Sequence, residues 1–194
     1  MGRVKGVLLA TTIAGVKASL ASGKLSPEDL EAQLEAEDLA LLDEKLQSAG
    51  WYPVGTIGRM AELLARALGG PREEALRRLG GAAVEILRQA GTYQQLDFEP
   101  GCVRGGDPEE LRAAGRLIAS LWPAMYDFGR VRVETEPGAG AVLIRYEGLA
   151  ACPRPVRHTI EGFTARVADL LGDGAVTVDF PPADEGSWIV RIVG

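Results

Sequence analysis

Residues Trp122 to Glu136 read W-P-A-M-Y-D-F-G-R-V-R-V-E-T-E, and inside this stretch the hydrophobic period changes from helical to alternating. Leu111, Gly115, Ile118, Trp122 and Met125 recur at the spacing of one helix face, behind an Asp107-Pro108-Glu109-Glu110 start that supplies a cap, a proline at the first helical position and acids at the positive helix end. After Phe128-Gly129, Val131 and Val133 alternate with Arg130, Arg132, Glu134 and Glu136, the pattern of a half-buried strand. Asp127 and Arg130 are expected to fix the junction through local polar contacts.

Working outward toward the C-terminus, Pro137-Gly-Ala-Gly140 reads as a hairpin turn, and Val142, Ile144 and Tyr146 alternate with Leu143, Arg145 and Glu147. Val156, Ile160, Phe163, Val167, Leu170 and Leu171 make one helical stripe between Pro153 and Gly172. Val176, Val178 and Phe180, then Trp188, Val190 and Ile192, give two further strands. Four strands with one apolar face each form an antiparallel sheet covered by helices.

Toward the N-terminus the reading is helical. Leu9, Ile13, Val16 and Leu20 form a first stripe ended by Gly23, and Ser26-Pro27-Glu28-Asp29 starts a second helix. Another helix lies around Leu39 to Leu46. Trp51-Tyr52-Pro53 follows a break at Gly50, helices then run from Ile57 to Leu68 and from Pro71 to Ala90, and Gly91 to Gly106 is a loop. Gly80-Gly81 inside the second of these costs about 1 kcal/mol per glycine relative to alanine, and close approach of another backbone is expected to offset it. The class is α+β, one domain over 1–194, with a helical part over 1–125 and a β-β-α-β-β part over 126–194.

Composition narrows the function. Lys and Arg number 21 against 27 Asp and Glu, a formal net charge of -6 that repels a phosphate backbone, so no nucleic-acid partner is expected. Two cysteines, Cys102 and Cys152, do not make a disulfide scaffold and suit a reducing, cytoplasmic setting. The apolar run from Gly6 to Val16 is closed early by Lys17 and is shorter than the ~20 residues of a membrane span. It reads as a core helix rather than a signal peptide or a membrane span.

The chain resembles a family of paralogous, mostly uncharacterised domains found in myxobacteria. That family looks like a relative of vinyl-reductase-type ligand-binding domains, of transport-particle (TRAPP) vesicle-tethering subunits and of heme nitric-oxide-binding domains. The resemblance spans nearly the whole chain and is carried by Leu41-Leu42 through Trp51-Tyr52-Pro53, by Leu121-Trp122 through Tyr126-Asp127-Phe128-Gly129-Arg130-Val131, and by the terminal hairpin, the Gly162-Phe163 helix and the final strand pair. It implies a non-catalytic ligand-binding or sensory domain, homodimeric, or alternatively a protein-interaction scaffold. The vinyl-reductase-type cysteines have no counterpart between Phe180 and Trp188, and no histidine precedes Phe128 where heme-binding relatives carry their proximal ligand. Neither a metal nor any other cofactor is expected.

The residues themselves assemble no catalytic set. His158 is the only histidine; it lies off the Val156-Ile160-Phe163-Val167 stripe and reads as a surface or interface residue making a polar contact. Gly101-Cys-Val-Arg-Gly-Gly-Asp107 lacks the Gly-Lys-Ser/Thr ending of a phosphate loop. The aromatics Trp51, Tyr52, Trp122, Tyr126 and Phe128 are the candidates to line a pocket for a small apolar ligand, and the same spacing suits ordinary core packing.

Overall fold

The computed structural model describes residues 2–104, 107–136, 140–181 and 187–194. The hairpin turn at Pro137 to Ala139, Gly105-Gly106 of the glycine-rich loop and the segment from Pro182 to Gly186 lie outside the described residues. In chain order the elements are β1 (Arg3–Lys5), α1 (Gly6–Ala21), α2 (Pro27–Gln33), α3 (Ala36–Asp43), β2 (Trp51–Pro53), α4 (Val54–Leu68), α5 (Arg72–Gln89), α6 (Pro108–Met125), β3 (Arg130–Glu136), β4 (Ala141–Glu147), α7 (Arg154–Gly172), β5 (Thr177–Asp179) and β6 (Ser187–Val193). A single tight helical turn covers Gln94–Leu96. The α+β class holds: seven helices accompany a four-stranded antiparallel sheet and a two-stranded one among the described residues.

Packing divides the chain into two compact units. The first comprises residues 1–80, 125–127 and 151–162. Its main core joins Leu9, Ile13 and Val16 of α1 to Met60, Leu63 and Leu64 of α4, with Leu25, Leu30 and Leu34 closing one side. The apolar run near the N-terminus is thus a packed core helix. Ser26 caps α2 as its sequence requires: its hydroxyl accepts from the Asp29 N–H at 3.2 Å while the Asp29 carboxylate accepts from the Ser26 N–H at 2.9 Å. A close backbone approach occurs at Gly162 of α7, where any side chain would collide with the Arg77 carbonyl of α5. Alanine there would force the two helices apart.

The second unit comprises residues 81–124, 128–150 and 163–194. Its sheet has the order β3-β4-β6-β5, every pair antiparallel, with Val131 opposite Tyr146 and Tyr146 opposite Trp188. Because side chains alternate, Val142, Ile144, Tyr146, Trp188, Val190 and Ile192 share one face, and each is at most 2% exposed. α6 lies over that face, with Gly115 against Val133 and Val142 and with Arg112 donating to the Thr135 hydroxyl at 2.7 Å. The opposite face carries Arg132, Glu134, Arg145, Glu147 and Arg191 around Leu143 and Ile189. Gly129 turns the chain into β3 at φ +73, a conformation that disfavours a side chain, and one placed there would also strike Leu149 and the Glu147 carbonyl.

The small β1–β2 sheet is absent from the sequence reading, since three residues are too few to show an alternating period. The role given to Asp127 also changes. Its partner is Arg3 rather than a neighbour at the junction: the Arg3 N–H donates to Oδ1 at 2.6 Å, Nε donates to Oδ2 at 2.5 Å, and the Asp127 N–H returns a bond to the Arg3 carbonyl at 3.2 Å.

Candidate functional site

The five candidate aromatics fall into two sets. In the first unit, β1 runs antiparallel to β2 with Val4 opposite Tyr52 and Lys5 opposite Trp51, and Val4 also bridges to Tyr126. Val4 is completely buried between these rungs. The Lys5 ammonium sits 3.9 Å from the centre of the Trp51 ring and donates to the Ala49 carbonyl at 3.0 Å. The Tyr52 hydroxyl accepts from the Gln47 N–H at 3.0 Å, and its ring fits against Gly6 and Gly50. Trp51, Tyr52 and Tyr126 therefore clamp a short strand through backbone and polar contacts.

The second unit holds Trp122 and Phe128 and builds a chain of rings from them. Trp122 meets Phe128 edge to face at 5.6 Å and Tyr146 at 4.9 Å, while its indole N–H donates to the Phe128 carbonyl at 2.7 Å. Tyr146 stacks on Trp188 at 4.8 Å, and Trp188 on Phe180 at 6.2 Å. Burial raises the Tyr146 phenol well above its ordinary value, with a hydrogen bond to Thr164 acting the other way. The sequence reading missed Tyr146, Trp188 and Phe180 as members of this set. The available signal was their place on alternating strand positions of one sheet face.

Two buried acids in the first unit also escaped it. Asp38 is 1% exposed and accepts from Thr56 Oγ at 2.6 Å, from Arg59 Nε at 2.5 Å and Nη2 at 2.9 Å, and from the Glu35 N–H at 3.1 Å. Burial alone would raise its pKa, but the bonds from Arg59, Thr56 and Glu35 outweigh burial and leave it lowered. Glu161, 3% exposed, accepts from Arg77 Nε at 2.9 Å and Arg157 Nε at 3.3 Å, and sits 2.9 Å from His158 Nδ1. Glu73 lies 3.5 Å from His158 Nε2 and pairs with Arg154 at 2.8 Å. His158 is thus not a surface residue. It is 6% exposed, and its Nδ1 lies 2.9 Å from Glu161.

Among the described residues no cluster of three or more histidine, cysteine or acidic side chains is arranged to hold a metal ion. Both cysteines are free thiols, Cys102 exposed and Cys152 half-buried, and burial pushes the Cys152 thiol up to about 12 against the pull of Arg157. No helix among the described residues is long and apolar enough to cross a membrane.

No family model and no curated protein sequence matches the chain. Solved structures do. An H-NOX protein from S. oneidensis in the Fe(II)NO ligation state shares 16% identity at a TM-score of 0.60, covering 97% of each chain. The Fe(II) unliganded H-NOX protein from K. algicida gives 12% identity and 0.56, with 97% of this chain and 95% of that one covered. The chain has the fold of the H-NOX proteins. A third structure, at 12% identity and a TM-score of 0.60 over 98% of this chain and 99% of the other, concerns heme redox potential modulated through protein-induced porphyrin distortion. The heme nitric-oxide-binding part of the resemblance is the part these structures share.

An H-NOX fold raises the question of heme, and the donor set answers it. An axial histidine needs a ring nitrogen free for iron. The imidazole of His158, the only one in the chain, has Nδ1 against Glu161, while Nε2 makes no hydrogen bond but has the Glu73 carboxylate standing 3.5 Å in front of it, in a cluster whose carboxylates are already paired with Arg77, Arg154 and Arg157. Cys152 and Tyr146 are kept protonated by burial, and burial likewise lifts Tyr93 to about 12. These side chains do not fit heme iron.

Proposed function

We propose that the chain is a non-catalytic ligand-binding or sensory domain, acting as one functional unit over 1–194, homodimeric and cytoplasmic, that takes a small apolar molecule in place of heme. The observation that carries this reading is the H-NOX fold extending over 97% of the chain. The candidates for its ligand contacts are Trp51, Tyr52 and Tyr126 within the first unit and, taken separately, Trp122 and Phe128 within the second. Kinship with the myxobacterial domains, the vinyl-reductase-type domains and the vesicle-tethering subunits belongs to the same proposal. A sensor of this kind passes its state to a protein partner.

Organic extraction of natively purified protein, followed by mass spectrometry of the extract, tests the reading. One small apolar compound near stoichiometric amount is the expected result. An empty extract, together with unchanged tryptophan fluorescence across a panel of apolar compounds, would overturn it. Recovery of a stoichiometric protein partner by a ligand-free chain would favour the scaffold alternative.

A further inference from the structure

The edge strand β3 has a property that neither its burial nor its place in the hairpin requires. It reads Arg130-Val-Arg-Val133-Glu-Thr-Glu136, with two cations in its first half and two anions in its second. The order β3-β4-β6-β5 puts it at the border of the sheet, where one side pairs with β4 and the other pairs with no strand among the described residues. Arg130, Arg132, Glu134 and Thr135 are exposed. Its full length stays in register with β4, from Arg130 opposite Glu147 to Glu136 opposite Ala141, so no bulge bends it away from a neighbour.

Exposed edges are normally protected by charges that would oppose one another on pairing. The order of charges in β3 reverses that effect for one arrangement. Laid antiparallel against a copy of itself about Val133, the strand sets Arg130 opposite Glu136, Arg132 opposite Glu134, Val131 opposite Thr135 and Val133 opposite Val133. The nearest slips that keep the same faces aligned oppose Arg132 to Arg132 or Glu134 to Glu134, so charge specifies the register. Within its own sheet the same residues already use cross-strand pairing, Arg132 with Glu147 at 3.6 Å and Glu134 with Arg145 at 3.7 Å. The strand is also neutral overall on a chain of net charge -6, which makes it a favourable place for two copies to meet.

We propose that β3 is the homodimer interface, pairing antiparallel with β3 of a second copy about a two-fold axis at Val133 and joining the two sheets into one. This rests on the homodimer part of the proposed function and names its surface. One strand pair buries less than the roughly 1,000 Å² of a stable interface, so the dimer is weak, concentration-dependent and sensitive to salt.

Analytical ultracentrifugation across a concentration series tests it, with one variant carrying Arg130→Glu and Arg132→Glu and another carrying Glu134→Arg and Glu136→Arg. Native protein should dimerise at low salt and associate about tenfold more weakly in about 0.5 M salt, where charges are screened within a few ångströms. Each variant alone should be monomeric with a native circular dichroism spectrum, and the equimolar mixture should restore dimer. A native protein that stays monomeric at every concentration would overturn the interface and the homodimer reading together. Dimers persisting in both separate variants would overturn the interface alone, as would folded variants whose mixture stays monomeric. Should either double variant misfold, the single changes Arg130→Glu and Glu136→Arg are mixed in the same way. Ligand extraction is a separate readout that none of these outcomes alters.

Discussion

The two aromatic sets use the same residue types to opposite ends. In the second unit Trp122, Tyr146 and Trp188 are 5%, 2% and 0% exposed and hold one another by ring contact, so their contribution is dominated by burial. In the first unit Trp51 and Tyr52 stay half-exposed and act through a cation, a hydroxyl and backbone pairing around a strand of three residues. Rings that pack on rings define a rigid core. Rings that clamp a short strand define a part that can let go, because short strands with exposed hydrogen bonds open at low free-energy cost.

Trp188→Ala should break the comparison most visibly. Removing a ring stacked between Tyr146 and Phe180 and completely buried should cost about 3–5 kcal/mol, read as a lower urea midpoint. Tyr146→Phe keeps the ring and deletes only its hydrogen bond with Thr164, so about 1 kcal/mol is expected in the same assay.

In the first unit the effects shrink and become sensitive to pH and salt. Burial acts to raise the Asp127 pKa, and the bonds from Arg3 outweigh it, so the folded-state value is lowered. A lowered carboxylate contributes stability above its unfolded pKa of about 3.9, and that contribution disappears as pH falls through the folded value. Asp127→Asn should therefore cost less than about 1 kcal/mol at neutral pH, and wild type and variant should converge as unfolding curves are taken to acid below pH about 4. Lys5→Met, which removes the cation over Trp51, should cost about 0.5 kcal/mol, with faster amide exchange confined to β1 and β2.

The same contrast explains what the sequence made legible. The helices α1, α4, α6 and α7 and the strands β3, β4 and β6 each bury one face along several turns or rungs, so their period is written in the chain. β1 and β2 are too short to write one. The Arg3–Asp127 bond joins residues 124 positions apart, and no local pattern announces it. Asp38 and Glu161 look like ordinary helix-surface acids, and only the helices packed around them turn them into buried acceptors. His158 and Glu161 stand three apart on a helix, a spacing at which side chains meet, but both lie off the apolar stripe by which α7 is legible. Trp122 and Phe128 are legible because they flank the change of period. Tyr146 and Trp188 were hidden as routine core positions on their strands, although their register makes them direct neighbours.

An H-NOX fold whose donor set does not fit heme iron is most directly tested by the absorption spectrum of the purified protein on addition of hemin. The expected result is the broad spectrum of unligated hemin with no saturation point. A sharp Soret band that saturates at one hemin per chain and is lost in His158→Ala would contradict it.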